Sequence, residues 1–348
     1  MRCRGTPRRV TAMPPLPTPR GSVSDRLIDV LRRRPGHAPV LPEPGDQMDP
    51  WGDDLQLTLY LAFELRYRGF AGVDPAWELE PGVVALTRAL ADTFLDAVRD
   101  EVGPVDVATP DGVRAALVTL ASGDGPSLSR WIDEQGTLGH LREFAVHRSA
   151  YQLKEADPHS LALPRLPAGR AKAAFVEIQA DEYGGGVPGE SHQELFAGTL
   201  RSLGLDDRYG AYLDVVPAPT LATVNLLTAF GGTRALVGAC VGHLALFEMT
   251  SVGPMGRYAR AMRRLSGDAG ARFYDVHVLA DQHHQRLALD QMVVPFVEDD
   301  PEQAPAVVFG ARALATVEGR FTAHVLERWR RGTSSLRRPL APSAEVAA

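Results

Sequence analysis

The sequence predicts an all-α protein, and three observations lead to this fold class. Apolar residues recur with helical spacing along most of the chain, as in segments 53–68, 81–102 and 109–122. Alternating apolar and polar residues, which indicate strands, are nearly absent, and the best candidate, 293–299, is short. The chain contains neither an internal repeat nor a strand–helix–strand rhythm. These observations favour a helical bundle.

The elements follow one another in a simple order. Residues 1–48 form a Pro- and Arg-rich leader that we predict to be disordered, and it lacks the apolar stretch of a secretory signal. Residues 49–139 carry accessory helices, one of which starts with Thr109 as its N-cap and a proline behind it. A polar tail is predicted over 332–348. Between these regions, further helices are predicted near 140–156, 170–183, 190–204, 219–229, 233–251, 254–266, 270–293 and 303–331.

Composition restricts the class of protein. The 348 residues are 45% hydrophobic and 23% charged, as in a soluble globular protein. The net charge of −6 gives no electrostatic support for nucleic-acid binding. Cys3 and Cys240 are far apart in the chain, so we expect no disulfide framework and a cytoplasmic location. The longest apolar run, 235–247, is shorter than the roughly 20 residues that span a bilayer, so we expect no membrane association.

The segment 275–285, DVHVLADQHHQ, concentrates histidines and aspartates. Each residue of an α-helix advances by about 100°, so His277, Asp281 and His284 fall within roughly 60° of one another. His283 points about 120° away from that face by the same geometry. A buried aspartate beside two histidines has to be paired or bound to a metal. Taken alone, the segment fits a metal-binding face and a solvated face equally well.

Upstream side chains could complete a metal site. Segment 176–196 places Glu177, Asp181 and Glu182 at the end of one predicted helix and His192 near the start of the next. The Gly-rich break between these helices lets the chain reverse, so that Glu182 and His192 could meet. The angle from Glu177 to Glu182, about 140°, directs Glu177 elsewhere. The alternative interpretation is an acidic helix end followed by a serine cap.

Two further carboxylates are candidates. Glu248 ends a strongly apolar helix and is costly to bury without a partner, whereas His243, about 140° away, is interpreted as a core histidine. Glu155 precedes an Asp-Pro break, where a ligand and an ordinary helix end are equally favoured. Lys154 and Lys172 lie next to these segments and could pair with a carboxylate of the substrate, but a surface position is favoured for each.

Together, these segments resemble the heme-oxygenase-like diiron oxidase and oxygenase superfamily, and within it the iron-containing redox enzymes. The resemblance covers about residues 140–300, and the order of the motifs is more specific than any one of them. The matching parts are KEADPHSLALPRL (154–166), AKAAFVEIQADEYGGG (171–186), His192, the apolar helix with Glu248, and H-x3-D-x2-H at His277, Asp281 and His284.

The resemblance implies a heme-oxygenase-like bundle over 140–331, to which the accessory helices of 49–139 are added. It also implies a dinuclear iron site, and the positions that match its ligands are Glu182, His192, Glu248, His277, Asp281 and His284, with Glu155 as a further carboxylate. The carboxylates would balance the charge of two Fe²⁺, and neutral imidazoles complete a nitrogen and oxygen donor set suited to iron. No cysteine takes part, which argues against a structural zinc site.

The implied activity is that of an oxidase or oxygenase in which iron alternates between Fe(II) and Fe(III) and O₂ is the co-substrate. The implied substrate is a small amine, amino acid or fatty-acid-like molecule. The resemblance leaves an external electron donor and a homodimer open. Two alternatives are a non-catalytic helical partner protein of the same fold and a heme-binding oxygenase. The complete set of ligand-type residues argues against the first, and its carboxylates argue against the second.

Overall fold

The computed structural model describes residues 13–36, 41 and 48–340, and within these ranges the regular structure is entirely helical. The predicted all-α bundle is therefore confirmed. The α-helices are α1 (Ser22–Leu31), α2 (Asp53–Glu64), α3 (Pro81–Val102), α4 (Pro110–Ala121), α5 (Leu128–Gln135), α6 (Leu138–Gln152), α7 (Asp157–Ser160), α8 (Arg170–Glu182), α9 (His192–Ser202), α10 (Ala218–Gly232), α11 (Val237–Ser266), α12 (Arg272–Arg286), α13 (Val294–Asp299) and α14 (Ala304–Arg330).

Shorter helical segments join several of these helices. Thr109 caps α4 as predicted, since its Oγ1 accepts a hydrogen bond from the Gly112 N–H at 3.1 Å. The best strand candidate, 293–299, is wrong, because this apolar run continues α12 through a π-helical segment into α13 and packs on α4 and α8. The short segments are the 3₁₀ turns Pro75–Leu79, Leu163–Arg165, Gly184–Gly186, Arg234–Leu236, Asp268–Gly270 and Pro301–Gln303 and the π-helix Leu287–Val293.

Helix α11 lies at the centre of the bundle, where it packs against α5, α10, α12 and α14. Its contact with α14 is close because Gly242 and Gly310 have no side chain between the two backbones: a Cβ at either position would overlap a backbone carbonyl of the facing helix. Two helices were predicted here, but α11 continues through Pro254. Packing on both sides of the proline outweighs its usual effect as a helix breaker.

The central helix also bears on membrane association. In the part of the chain that the structure describes, the helical stretch Arg234–Ser266 is long and apolar enough to cross a membrane, judged by length and composition alone. The helix extends well beyond the apolar run 235–247, which the sequence argument considered alone. However, 61% of the most apolar window is buried inside the protein, as in a core helix. Length and composition alone are weak evidence for a membrane span.

Part of the leader is folded, which corrects the prediction that residues 1–48 are disordered. Val23, Leu27 and Leu31 of α1 are buried in the hydrophobic core, and α1 packs on α2. Asp54 holds the start of α1 by accepting the Val23 N–H at 3.0 Å and a second backbone N–H. The Pro- and Arg-rich composition concealed a short amphipathic helix. Residues 1–12, 37–40 and 42–47 lie outside the described residues.

The accessory helices and the later helices share one hydrophobic core. Helix α2 packs on α10, and α3 and α4 pack on α14. The division of the chain at 139/140 stays a prediction. At the C-terminal end, Ser335 and Leu336 are buried, so the start of the predicted polar tail packs on the bundle. Residues 341–348 of that tail are outside the described part.

The buried His147 predicts a pH-dependent stability. Its ring nitrogens lie 2.6 Å from Thr220 Oγ1 and 2.9 Å from Ser335 Oγ, and burial holds the pKa of His147 well below 6.5. Below pH 6.5 the unfolded chain binds a proton that the folded protein excludes, so stability present above pH 6.5 is lost as pH falls, by up to about 1.4 kcal/mol per pH unit. Urea unfolding at pH 6.5 and 5.5 should show a smaller loss in His147→Gln than in the wild type. Equal losses in the two proteins would show that His147 is not the source of the pH dependence.

Candidate metal centre

The inner face predicted on α12 is present in the structure. His277, Asp281 and His284 are each at most 3% exposed, although they carry polar side chains. His283 lies on the opposite side, where its side chain is 64% exposed and its Nε2 lies 2.9 Å from Glu177 Oε1. The two residues that helix geometry directed away from the site therefore pair with each other at the surface.

Six of the seven predicted ligands form two groups whose donor atoms lie within 4.8 Å of one another. Group one contains Glu155, Glu182, His192 and His277, and group two contains Glu182, Glu248 and His284. Glu182 belongs to both groups, so the groups are adjacent. Asp281 lies beside group two: its Oδ1 is 3.5 Å from His284 Nδ1, and its Oδ2 accepts the Ser251 hydroxyl at 2.5 Å.

Glu155 is positioned by a strained turn at the end of α6. The next residue, Ala156, adopts the left-handed conformation with φ of 71°. This conformation costs a non-glycine residue roughly 1–2 kcal/mol, and such strain is concentrated at functional sites. The turn is held by Gln193, whose side-chain amide donates to the Glu155 carbonyl oxygen at 2.8 Å. The sequence left the role of Glu155 open, and the structure places its carboxylate in group one.

The Gly-rich break after α8 brings Glu182 and His192 together, as the sequence suggested. Gly184 has φ of 65° and lies against the backbone of Glu190, where a Cβ would overlap it. The reversed chain places His192 Nδ1 2.7 Å from Glu182 Oε2. The alternative interpretation holds at the same time, because Ser191 caps α9. A capped helix start and a buried carboxylate–imidazole contact therefore coexist in this segment.

Helix α11 supplies Glu248 to group two. The Oε2 of Glu248 lies 3.2 Å from His284 Nδ1, across the contact between α11 and α12. His243 is buried elsewhere and pairs with His159 at 3.2 Å, in agreement with its interpretation as a core histidine. On the far side of His284, Nε2 lies 3.0 Å from Asp181 Oδ2, a contact that sequence reasoning did not predict.

A cavity of about 10 Å³ lies between the predicted ligands. Sequence reasoning missed several side chains that line it, among them Tyr151, Gln179 and Ser251. Gln179 lies three residues before Glu182 and Ser251 three residues after Glu248, in each case on the same helix, and Tyr151 lies four residues before Glu155. Each is therefore about one helical turn from a predicted ligand. That spacing is the signal that could have identified them.

Protons are unevenly distributed among these side chains. Burial alone would lower the pKa of His277, but Glu155, Glu182 and Asp281 raise it to about 10. Burial would raise the pKa of Glu182, yet the neighbouring imidazoles, chiefly His192, lower it to about 2. Burial is the main cause that raises the pKa of Glu248 to about 8. The buried carboxylates therefore favour positive charge at this site, whether it is carried by protons or by cations.

Three buried atoms test whether the site fits metal ions. Glu155 Oε2, His277 Nε2 and Asp281 Oδ1 are buried without a hydrogen-bond partner. His277 Nδ1 donates to the Phe273 carbonyl at 2.8 Å, so Nε2 faces Glu155 Oε1, which at 3.7 Å is too distant for a hydrogen bond. Each unpaired buried group costs about 1–3 kcal/mol. A cation in group one would satisfy Glu155 and His277, and a second cation in group two would satisfy Asp281 beside it. The nitrogen and oxygen donors fit iron.

The sequence also matches known proteins. Residues 142–319, just over half of the chain, match the family described as iron-containing redox enzymes, and this range contains every predicted ligand. A nitrosourea synthase of Streptomyces achromogenes subsp. streptozoticus is 30% identical over 131 residues. The match covers 37% of this chain and 28% of that relative, so the chain corresponds to less than a third of the relative's length.

Proposed function

Because this chain belongs to the family of iron-containing redox enzymes, we propose that it is a non-heme diiron oxidase or oxygenase, which uses O₂ to oxidise a small molecule. The observation that carries the proposal is the shared carboxylate of Glu182. It belongs to two buried groups of nitrogen and oxygen donors, an arrangement suited to two cations side by side.

In this proposal, each group holds one iron ion. Group one (Glu155, Glu182, His192, His277) would hold the first ion, and group two (Glu182, Glu248, His284), with Asp281 beside it, would hold the second. Bound as Fe(II), the two ions would supply the electrons that reduce O₂. The carboxylates balance the charge of the ions, and the imidazoles fix their positions.

The remaining cavity side chains would control protons and water. Ser251 donates to Asp281 Oδ2 and thereby leaves Oδ1 directed at group two. Burial, followed by the nearby carboxylates, raises the pKa of Tyr151 well above 10, so its phenol keeps its proton and can donate it at the cavity. All predicted ligands are at most 6% exposed, which keeps bulk water away from the site.

The proposed substrate is a small amine, amino acid or fatty-acid-like molecule, and an oxidation at nitrogen fits best. The similar enzyme is named a nitrosourea synthase, and a nitrosourea contains an oxidised nitrogen. That similarity favours an amine or amino acid over a fatty acid. The proposal includes an external electron donor, since the iron has to be reduced again after turnover, and it includes a cytoplasmic location.

The two alternatives from the sequence fit less well. A heme needs an axial histidine, whereas the imidazoles of His192, His277 and His284 each face a carboxylate. A non-catalytic partner protein of the same fold would have no use for unpaired buried ligand atoms, each of which destabilises the fold. The geometry therefore favours the diiron enzyme over both.

Iron binding tests the proposed function. We expect anaerobic equilibrium dialysis against Fe(II) to give two iron ions per chain, and the loaded protein to consume O₂ when air is admitted. His277→Ala should lose the iron ion of group one, because it removes a donor of that group. It should therefore also lose O₂ consumption. His283→Ala is the matched control, since it removes an exposed histidine of the same helix. Near-zero iron in the wild type would refute the proposal.

A further inference from the structure

Two carboxylate–imidazole pairs join α8 to α12. Glu177 and His283 form one pair, 2.9 Å apart, in which both side chains are more than half exposed. Asp181 and His284 form the other, 3.0 Å apart. Here the Asp181 side chain is 52% exposed, but His284 is fully buried. Asp181 therefore reaches from the protein surface to a buried imidazole of group two.

We infer that Asp181 is a positioning residue, which fixes the His284 ring so that Nδ1 faces group two. This inference rests on the proposed function. A neutral imidazole carries its proton on one nitrogen and offers the other as a ligand. Because a carboxylate only accepts, Asp181 accepts a hydrogen bond from the Nε2–H and so keeps the ring proton on Nε2, which leaves the Nδ1 lone pair free. That Nδ1 lies 3.2 Å from Glu248 Oε2 and 3.5 Å from Asp281 Oδ1.

The other α12 histidine shows why His284 needs this partner. His277 donates its Nδ1 proton to the Phe273 carbonyl, one turn earlier on its own helix, so it faces group one with Nε2. The contacts of His284 differ, because both of its nitrogens face carboxylates and neither meets a backbone carbonyl. Without Asp181, the carboxylates that contact the ring, Glu248 and Asp281, both lie at Nδ1 and favour the proton on that nitrogen. With Asp181, the proton is held on Nε2.

Metal titration of variants tests the inference. Asp181→Ala should weaken binding of the Fe(II) in group two by about 10–100-fold and leave binding in group one unchanged. A loss of this size is the usual effect of removing a partner of a metal-binding histidine. Asp181→Asn keeps an oxygen that accepts a hydrogen bond from the Nε2–H, so it should retain most of the affinity for Fe(II). Glu177→Ala is the matched control, because it breaks the neighbouring pair between the same helices.

Cobalt provides a readout that does not depend on turnover. With Co(II) in place of iron, we expect the visible absorption of the second bound ion to change in Asp181→Ala and to be restored in Asp181→Asn. Thermal unfolding checks that each variant is folded. If Asp181→Ala does not fold, Asp181→Ser is measured in its place.

The outcomes separate this inference from the proposed function. If Asp181→Ala binds two ions as tightly as Glu177→Ala does, Asp181 does not position His284. If Asp181→Asn loses as much affinity as Asp181→Ala, the charge of Asp181 acts instead of its hydrogen bond, and the inference is equally overturned. If the wild type binds no Fe(II), the proposed function fails before Asp181 is tested.

Discussion

Replacing Glu182 by alanine is expected to abolish binding of both iron ions, whereas replacing Glu155 or Glu248 should remove one. The difference follows from the two groups of donor atoms, because Glu182 is the residue that they share. The loss of a common ligand removes a negative charge and a donor atom from both positions at once. Glu155 contributes to group one and Glu248 to group two.

Anaerobic dialysis against Fe(II), followed by colorimetric iron analysis, measures this effect as ions per chain. Glu182→Gln is the sharper variant, since it keeps the shape of the side chain and removes its charge. The pKa of Glu182 is lowered to about 2 by neighbouring imidazoles that outweigh burial, so the wild-type side chain is ionised at neutral pH. Glu177→Gln, on the same helix but at the surface, should keep two ions. Two ions in Glu182→Gln would show that Glu182 is not shared.

Helical periodicity explains why much of the site could be predicted from the sequence. The angle between residues on one helix depends on spacing alone, so the face of His277, Asp281 and His284 and the exclusion of His283 follow from the sequence. The resemblance to iron-containing redox enzymes is confirmed by the match over residues 142–319. It supplied the order of the remaining motifs, which spacing alone could not connect.

Contacts between helices account for what the sequence did not reveal. Whether Glu155 is close to His277 depends on the strained turn at Ala156, and no periodicity predicts a left-handed alanine. The contact between Asp181 and His284 depends on how α8 crosses α12, which is set by packing. The same reason applies to α1, whose burial depends on a surface that α2 provides.

Lys154 is buried, contrary to the prediction that it lies at the surface. It is 1% exposed, and its Nζ lies 2.9 Å from Glu64 Oε2, whose side chain is fully buried. The ammonium also lies 4.5 Å from the ring centroids of Tyr60 and Tyr67. Tyr209 donates to the other oxygen of Glu64 at 2.6 Å. Helix α2, one of the accessory helices, thus fixes the position of Lys154, the residue before Glu155, through Glu64.

Lys154→Met is therefore expected to destabilise the protein by about 3–5 kcal/mol, because it leaves the Glu64 carboxylate buried without a countercharge. Urea unfolding measures this loss, and Lys172→Met, in which a partly exposed lysine is replaced, should cost less than about 1 kcal/mol. The double variant Lys154→Met/Glu64→Gln removes both charges and keeps an acceptor for Tyr209, so it should recover most of the lost stability. If it is as unstable as the single variant, the cost lies in the packing around the ammonium instead of in the unpaired charge.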